Sequence, residues 1–222
     1  MSTRTLLVAA LALGAAACGG ETDAPADPNV STAGTAVSAT PVPAGTYAID
    51  AAHSTASFGV RHLGISTVKG SFGAVSGTVT LGETLSTLQT TARMDPATIS
   101  TGNADRDGHL QSPDFFDVAQ YPEITFTSTS VQPGDGDAFT LMGDLTMHGV
   151  TKPVTLQGTY LGSARMGETQ KVGFTASGEL DRREWGLTWA QTNEVGEALV
   201  GDEVTLEIQI EADRQADAAP DA

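Results

Sequence analysis

The chain has 222 residues, of which 40% are hydrophobic and 17% charged, a balance that supports a packed core and excludes disorder throughout. Its 11 lysines and arginines face 27 aspartates and glutamates, for a formal charge of -16. Such a surface repels phosphate backbones and anionic headgroups, which excludes nucleic acid as a partner and leaves membrane association to something covalent or apolar.

The first element is an export signal. Met1 to Arg4 is short and positive, and Leu6 to Ala17 is an apolar run of signal-peptide length, too short to cross a bilayer. The run ends in Ala15-Ala16-Ala17-Cys18-Gly19, which resembles a bacterial lipoprotein signal. Residues 1–17 are therefore read as a lipoprotein-type signal peptide and Cys18 as the site of lipidation, placing the protein in the bacterial periplasm as a membrane-anchored lipoprotein. As the only cysteine, Cys18 has no partner for an internal disulfide. From Gly19 to Gly45 there is no Lys, Arg or aromatic residue, and four prolines punctuate Ala, Thr, Ser and Gly. Residues 18–45 are expected to be a disordered tether and residues 213–222 a disordered acidic tail.

Between them, residues 46–212 follow period two, the mark of strands with one buried face. Eight segments show it: Tyr47 to His62, Val68 to Leu81, Leu88 to Met94, Ile124 to Val131, Phe139 to Met147, Val154 to Leu161, Val172 to Leu180 and Val204 to Ala212. Phe72 and Val75 have opposite parity, which predicts a bend between them. Turn signals stand at Pro133-Gly134-Asp135-Gly136, His148-Gly149 and Gly201-Asp202. One insertion looks helical: Asn103 to Gln111 lacks alternation, and Ser112-Pro113-Asp114 offers an N-cap, a proline at the first helical position and an acid in the first turn. Eight antiparallel strands remove both exposed edges by closing, so the expected fold is all-β, an eight-stranded antiparallel barrel with one short helical insertion. A barrel of eight is just wide enough to be filled by side chains or to hold one small ligand; a sandwich is the competing topology.

Several stretches carry a resemblance. Tyr47-x-x-Asp50-x-x-His53-Ser54, Phe58, Arg61-His62-Leu63-Gly64 and Gly70-x-Phe72 come first. Arg106-Asp107-x-His109-Leu110-x-Ser112-Pro113-Asp114-Phe115-Phe116-Asp117 and Tyr121-Pro122-x-Ile124-x-Phe126 follow, then Gly143-Asp144-Leu145-Thr146-Met147-His148-Gly149 and Gly201-Asp202-x-Val204. Together they resemble the YceI-like family of periplasmic polyisoprenoid-binding proteins. The resemblance implies a lipocalin-like barrel that sequesters or carries a polyisoprenoid or similar lipid, with no cofactor and no reaction.

The interior set expected to touch such a lipid is Phe58, Val60, His62, Leu63, Phe72, Val79, Met94, Ile124, Phe126, Leu141 and Phe174, with His53, Arg106 and His109 as headgroup candidates. His62 shares parity with Phe58 and Val60 and reads either as a hydrogen-bonded strand-end histidine or as a polar contact for a headgroup. The four histidines, His53, His62, His109 and His148, show no metal-motif spacing, and no metal is expected. Asn103-x-Asp105-x-Asp107-Gly108 has the outline of a calcium loop but begins with Asn, follows a strand and lacks the closing Glu. No G-x-S-x-G, no paired nucleophile and base and no phosphate loop occurs, so the chain reads as a binding protein rather than an enzyme. Two other readings stay open: a solid-core envelope interaction module without ligand, and a hydrolase or isomerase with scattered catalytic residues. A homodimer is compatible with the sequence and not required by it.

Overall fold

In the computed structural model, residues 40–216 are described. The signal peptide, Cys18, the first part of the tether and the end of the acidic tail lie outside the described residues. The strands are β1 (Gly45–Ile49), β2 (Thr55–His62), β3 (Ser66–Phe72), β4 (Ser76–Leu81), β5 (Gln89–Met94), β6 (Ile124–Pro133), β7 (Ala138–Met147), β8 (Val150–Met166), β9 (Thr169–Asp181) and β10 (Val200–Arg214), with one helix, α1 (Ala104–Gln111). Eight of them, β1-β4-β5-β6-β7-β8-β9-β10, form a ring that closes where Tyr47 to Ile49 of β1 pairs with Arg214 to Ala212 of β10. Every pairing in the ring is antiparallel, and closure removes the free edges a sandwich leaves.

The eight segments read from the sequence map onto this ring because two of them bend. β1 and β2 are one long strand broken at residues 50–54, so that β10 pairs with β1 at one end and with β2 along Val200 to Gln209. β3 and β4 are likewise one strand, broken at Gly73 to Val75, where Ala74 adopts a φ of 50°. This is the parity change between Phe72 and Val75. The two-residue β7–β8 connection, His148-Gly149, has φ values of 50° and 73°, as a primed hairpin turn requires.

Three expectations need correction. The helix precedes Ser112 instead of starting there: Asn103 accepts the Arg106 amide as N-cap, Asp105 and Asp107 sit in the first turn, and Ser112, extended at φ -75° and ψ 171° ahead of Pro113, ends it. Gly201-Asp202 is a bulge within β10 and not a turn, since the register shifts between Val200 and Val204 while Arg182 binds both Gly201 and Asp202. Residues 40–45, read as tether, and Asp213 and Arg214, read as tail, are bonded to the barrel. Thr40 bonds to Asp137, the carbonyls of Pro41 and Pro43 accept from Tyr160 and Tyr47, and β10 runs through Arg214.

Candidate functional site

Inward residues of the ring enclose a cavity of about 150 Å³. Among its lining residues, Phe126, Phe139, Leu141, Leu145, Met147, Leu156 and Phe174 are buried, whereas Ala176, Leu180, Leu206, Ile208 and Ile210 of the opposite wall remain partly accessible although they share the inward parity. They face open space. Only Ser57, Thr90 and Thr175 interrupt an otherwise apolar lining, and none of the lining residues is ionisable. Glycine makes the space compatible with aromatic walls. A Cβ on Gly143 would lie 2.3 Å from the Phe126 ring, one on Gly158 2.3 Å from Phe139, and one on Gly70 2.4 Å from Phe58. Each ring packs over the bare backbone of a glycine on the neighbouring strand.

The two ends are sealed differently. We call the end near α1 the top. There Trp185, 1% exposed, donates its indole N–H to the Leu145 carbonyl at 3.0 Å, and His148 Nδ1 donates to the Trp185 carbonyl at 3.1 Å. Arg182, also buried, donates to the carbonyls of Leu187 and Gly201 (2.9 Å for the latter) and to Asp202 at 3.0 Å. Residues 95–123 cover the gap where β3 parts from β5. Ser100 bridges to Ser71, and Ile99, Phe115 and Phe116 enter the core, with Phe116 edge-on to Phe72 at 5.6 Å. At the bottom, Tyr47, one inward step before Ile49 on β1, and Tyr160, paired with Phe174 across β8 and β9, form a floor, and residues 40–44 cross beneath it as a strap.

The family model for the YceI-like domain matches residues 47–212, the whole barrel. The chain belongs to the YceI-like family. A UPF0312 protein of Staphylococcus aureus strain USA300 is 34% identical over 171 residues, spanning 74% of this chain and 95% of the relative. The Campylobacter jejuni YceI protein is 30% identical, with a TM-score of 0.61 over 70% of this chain and 90% of that one. A polyisoprenoid binding domain from Saccharophagus degradans shares the fold at a TM-score of 0.58 and 16% identity, covering 76% and 98% of the two chains.

In this YceI-like barrel, Phe58, Phe72, Val79, Met94, Ile124, Phe126, Leu141 and Phe174 of the sequence-derived set line the cavity. Val60, His62 and Leu63 do not. They occupy the upper β2–β3 hairpin, where Val60 pairs with Val204 and Val68, His62 with Val200 and Ser66, and Leu63 turns at a φ of 53° with its amide on Leu199. The opposite wall, Ala176, Leu206, Ile208 and Ile210, had its signal in the alternation of β9 and β10. The plug residues Trp185, Leu187 and Trp189 had none, because residues 182–199 follow no period.

The headgroup candidates lie away from the cavity lining. His53 is on the outer wall, its Nδ1 2.7 Å from Asp50, in a group where Lys171 also reaches Asp50, Glu211 and Asp213. The hydrogen bond to Asp50 and the charges of Asp50 and Glu211 raise the His53 pKa; the same His53 bond, with the Ala52 amide, lowers that of Asp50. Asp50, His53 and Glu211 are close enough together to ligate an ion, but the Lys171 ammonium, 2.8 Å from Glu211, already supplies the positive charge. Arg106 binds Thr101 through its hydroxyl at 2.7 Å and its carbonyl at 2.9 Å, while Asp107 accepts from the Thr101 amide. His109 bonds to Asp114 at 2.8 Å between the rings of Phe115 and Trp189. The Thr101 contacts tie α1 to the segment before it, and the His109 ring sets it against Trp189 of the plug.

Proposed function

We propose that this YceI-like protein binds and sequesters or carries a lipid of the polyisoprenoid type in the cell envelope, held near the membrane through lipidated Cys18. The observation that supports the reading best is a cavity inside the barrel with an apolar lining and no ionisable group. Polar groups in ligand sites fix orientation and charged ones serve chemistry, so a lining without ionisable residues suits a hydrocarbon chain and offers no acid or base to activate the Ser57, Thr90 or Thr175 hydroxyl. The polyisoprenoid binding domain of Saccharophagus degradans, with the same fold, is consistent with this use of the barrel. An apolar cavity of about 150 Å³ takes a slender apolar group, so admitting a longer lipid requires the barrel to open at one end.

Purification without detergent, organic extraction and mass spectrometry test the reading. A long-chain isoprenoid or similar lipid is expected in the extract. A protein that emerges empty and binds no isoprenoid, quinone or fatty amide on titration overturns it. Loss of membrane association in Cys18→Ser, or accumulation of precursor under globomycin, tests the anchor separately.

A further inference from the structure

Below the cavity lie two tyrosines whose hydroxyls donate to carbonyls outside the sheet. Tyr47 is 0% and Tyr160 1% exposed, and the Tyr160 hydroxyl also has the Ser163 side chain of β8 as a partner. Tyr47 donates to the Pro43 carbonyl at 2.8 Å and Tyr160 to the Pro41 carbonyl at 3.2 Å. Both acceptors belong to the strap, residues 40–44, which precedes β1 and contributes no strand to the ring. Val42 packs against the core between them, and Thr40 closes the strap on the Asp137 carboxylate through its amide at 3.1 Å and its hydroxyl at 2.8 Å.

The floor is continuous with the cavity. Tyr160 is paired with Phe174 and lies 5.2 Å from it ring to ring, and Tyr47 is paired with Val79; Phe174 and Val79 both line the cavity. The top contrasts with it, because the Trp185 indole and Arg182 guanidinium are taken up by backbone carbonyls of the barrel and its own plug. The bottom therefore holds two phenolic donors aimed at removable carbonyls, at the end of an apolar tube.

We infer that Tyr47 and Tyr160 are the head-group subsite of this barrel: when a lipid loads, its acceptor oxygens replace the Pro41 and Pro43 carbonyls on the two phenols, and the strap lifts to admit it. The inference rests on the lipid-binding reading above. It also selects the head. Burial raises the pKa of both phenols, so they act as neutral donors. Asp137 stands beside Tyr160 and Arg214 beside Tyr47, so the subsite has no net positive charge with which to attract a phosphate. A neutral head bearing carbonyl oxygen fits the site, with the hydrocarbon running up between Phe139, Phe174 and Ile210.

Three probes of similar chain length test this on the full-length protein stripped of lipid: farnesylacetone, which carries a ketone; farnesene, which carries no head; and farnesyl phosphate. Wild type is expected to bind the ketone most tightly. The double variant Tyr47→Phe/Tyr160→Phe keeps both rings and loses only the hydroxyls. It is expected to weaken farnesylacetone by about tenfold, as the loss of two donors implies, while farnesene binds as well as before or better because the strap is freed. Equal loss for ketone and hydrocarbon, no loss for either, or a phosphate preference that survives the double variant overturns the subsite while leaving a lipid-binding barrel intact. Failure of all three probes to bind wild type overturns the barrel reading itself, and the subsite with it.

Discussion

Replacing Ala176 with leucine separates a ligand-binding barrel from a solid one. Ala176 sits on β9 opposite Gly158 and Ile208, and its methyl points into the cavity. At about 24 cal/mol per Å³, an unfilled cavity of about 150 Å³ costs the ligand-free protein on the order of 3–4 kcal/mol. Leucine adds three carbons, each contributing about 0.8 kcal/mol when buried. After allowance for rotamer strain, the expected gain is about 1–2 kcal/mol, or about 3–6 °C in melting temperature for a domain of this size. The same side chain occupies the space a hydrocarbon would use, so farnesylacetone binding should fall at least about tenfold. Thermal unfolding by circular dichroism, on protein stripped of lipid so that mass action does not mask the effect, reads the first quantity, and titration reads the second. Destabilisation by about 1–3 kcal/mol with binding unchanged is what overpacking of a filled core produces, and it would refute the reasoning.

Other consequences are as direct. Arg182→Met leaves the carbonyls of Leu187 and Gly201 buried without a donor and is expected to cost about 2–4 kcal/mol in urea unfolding, whereas Asp202→Asn, at the exposed end of the same contact, should cost less than about 1 kcal/mol; the reverse order contradicts the assignment. Gly158→Val drives a methine carbon into the Phe139 ring and should destabilise by about 2–4 kcal/mol, with Phe139→Leu recovering part of the loss in the double variant, and additive losses would show that the two residues do not meet. His53, whose folded-state pKa is raised by Asp50, contributes stability that is present below the free imidazole value near 6.5 and lost as pH rises through the folded value. Its NMR titration midpoint should lie above 6.5 and fall in Asp50→Asn; an unmoved midpoint would remove Asp50 as the cause.

Period two made most of the ring legible. In β6 through β10 the inward residues alternate over runs long enough to fix register, so Phe126, Leu141 and Phe174 reach the cavity as their parity requires. The change of parity between Phe72 and Val75 was readable for the same reason, since a strand that changes face must bend. Parity says nothing about height along the barrel, and this is why Val60 and His62 share a face with Phe58 yet miss the cavity: β2 continues beyond it toward the plug. The plug has no period because its side chains enter the core from turns. Arg182 looks like a surface charge until the bulge at Gly201 supplies its acceptors. The strap was hidden by composition, since Thr40 to Ala44 reads as linker, and the partners Tyr160 and Asp137 that hold it lie far away in sequence.

The two ends of the barrel differ in what opening them costs, and this bears on the route a lipid takes. Opening the top means withdrawing Trp185 from the core, breaking its bond to Leu145, and exposing a guanidinium that binds two carbonyls and Asp202. The carbonyls of Leu187 and Gly201 lose their donor, and withdrawing a large buried aromatic from the core adds to the cost. Opening the bottom means lifting residues 40–44, whose Val42 packs against the core and whose hydrogen bonds to Tyr47, Tyr160 and Asp137 water or an incoming oxygen can replace. Strand pairing is untouched, because β1 stays bonded to both β4 and β10 when the residues before Gly45 move. Of the two ends, the bottom opens without breaking the barrel, and it is the end that already carries the donors a lipid head requires.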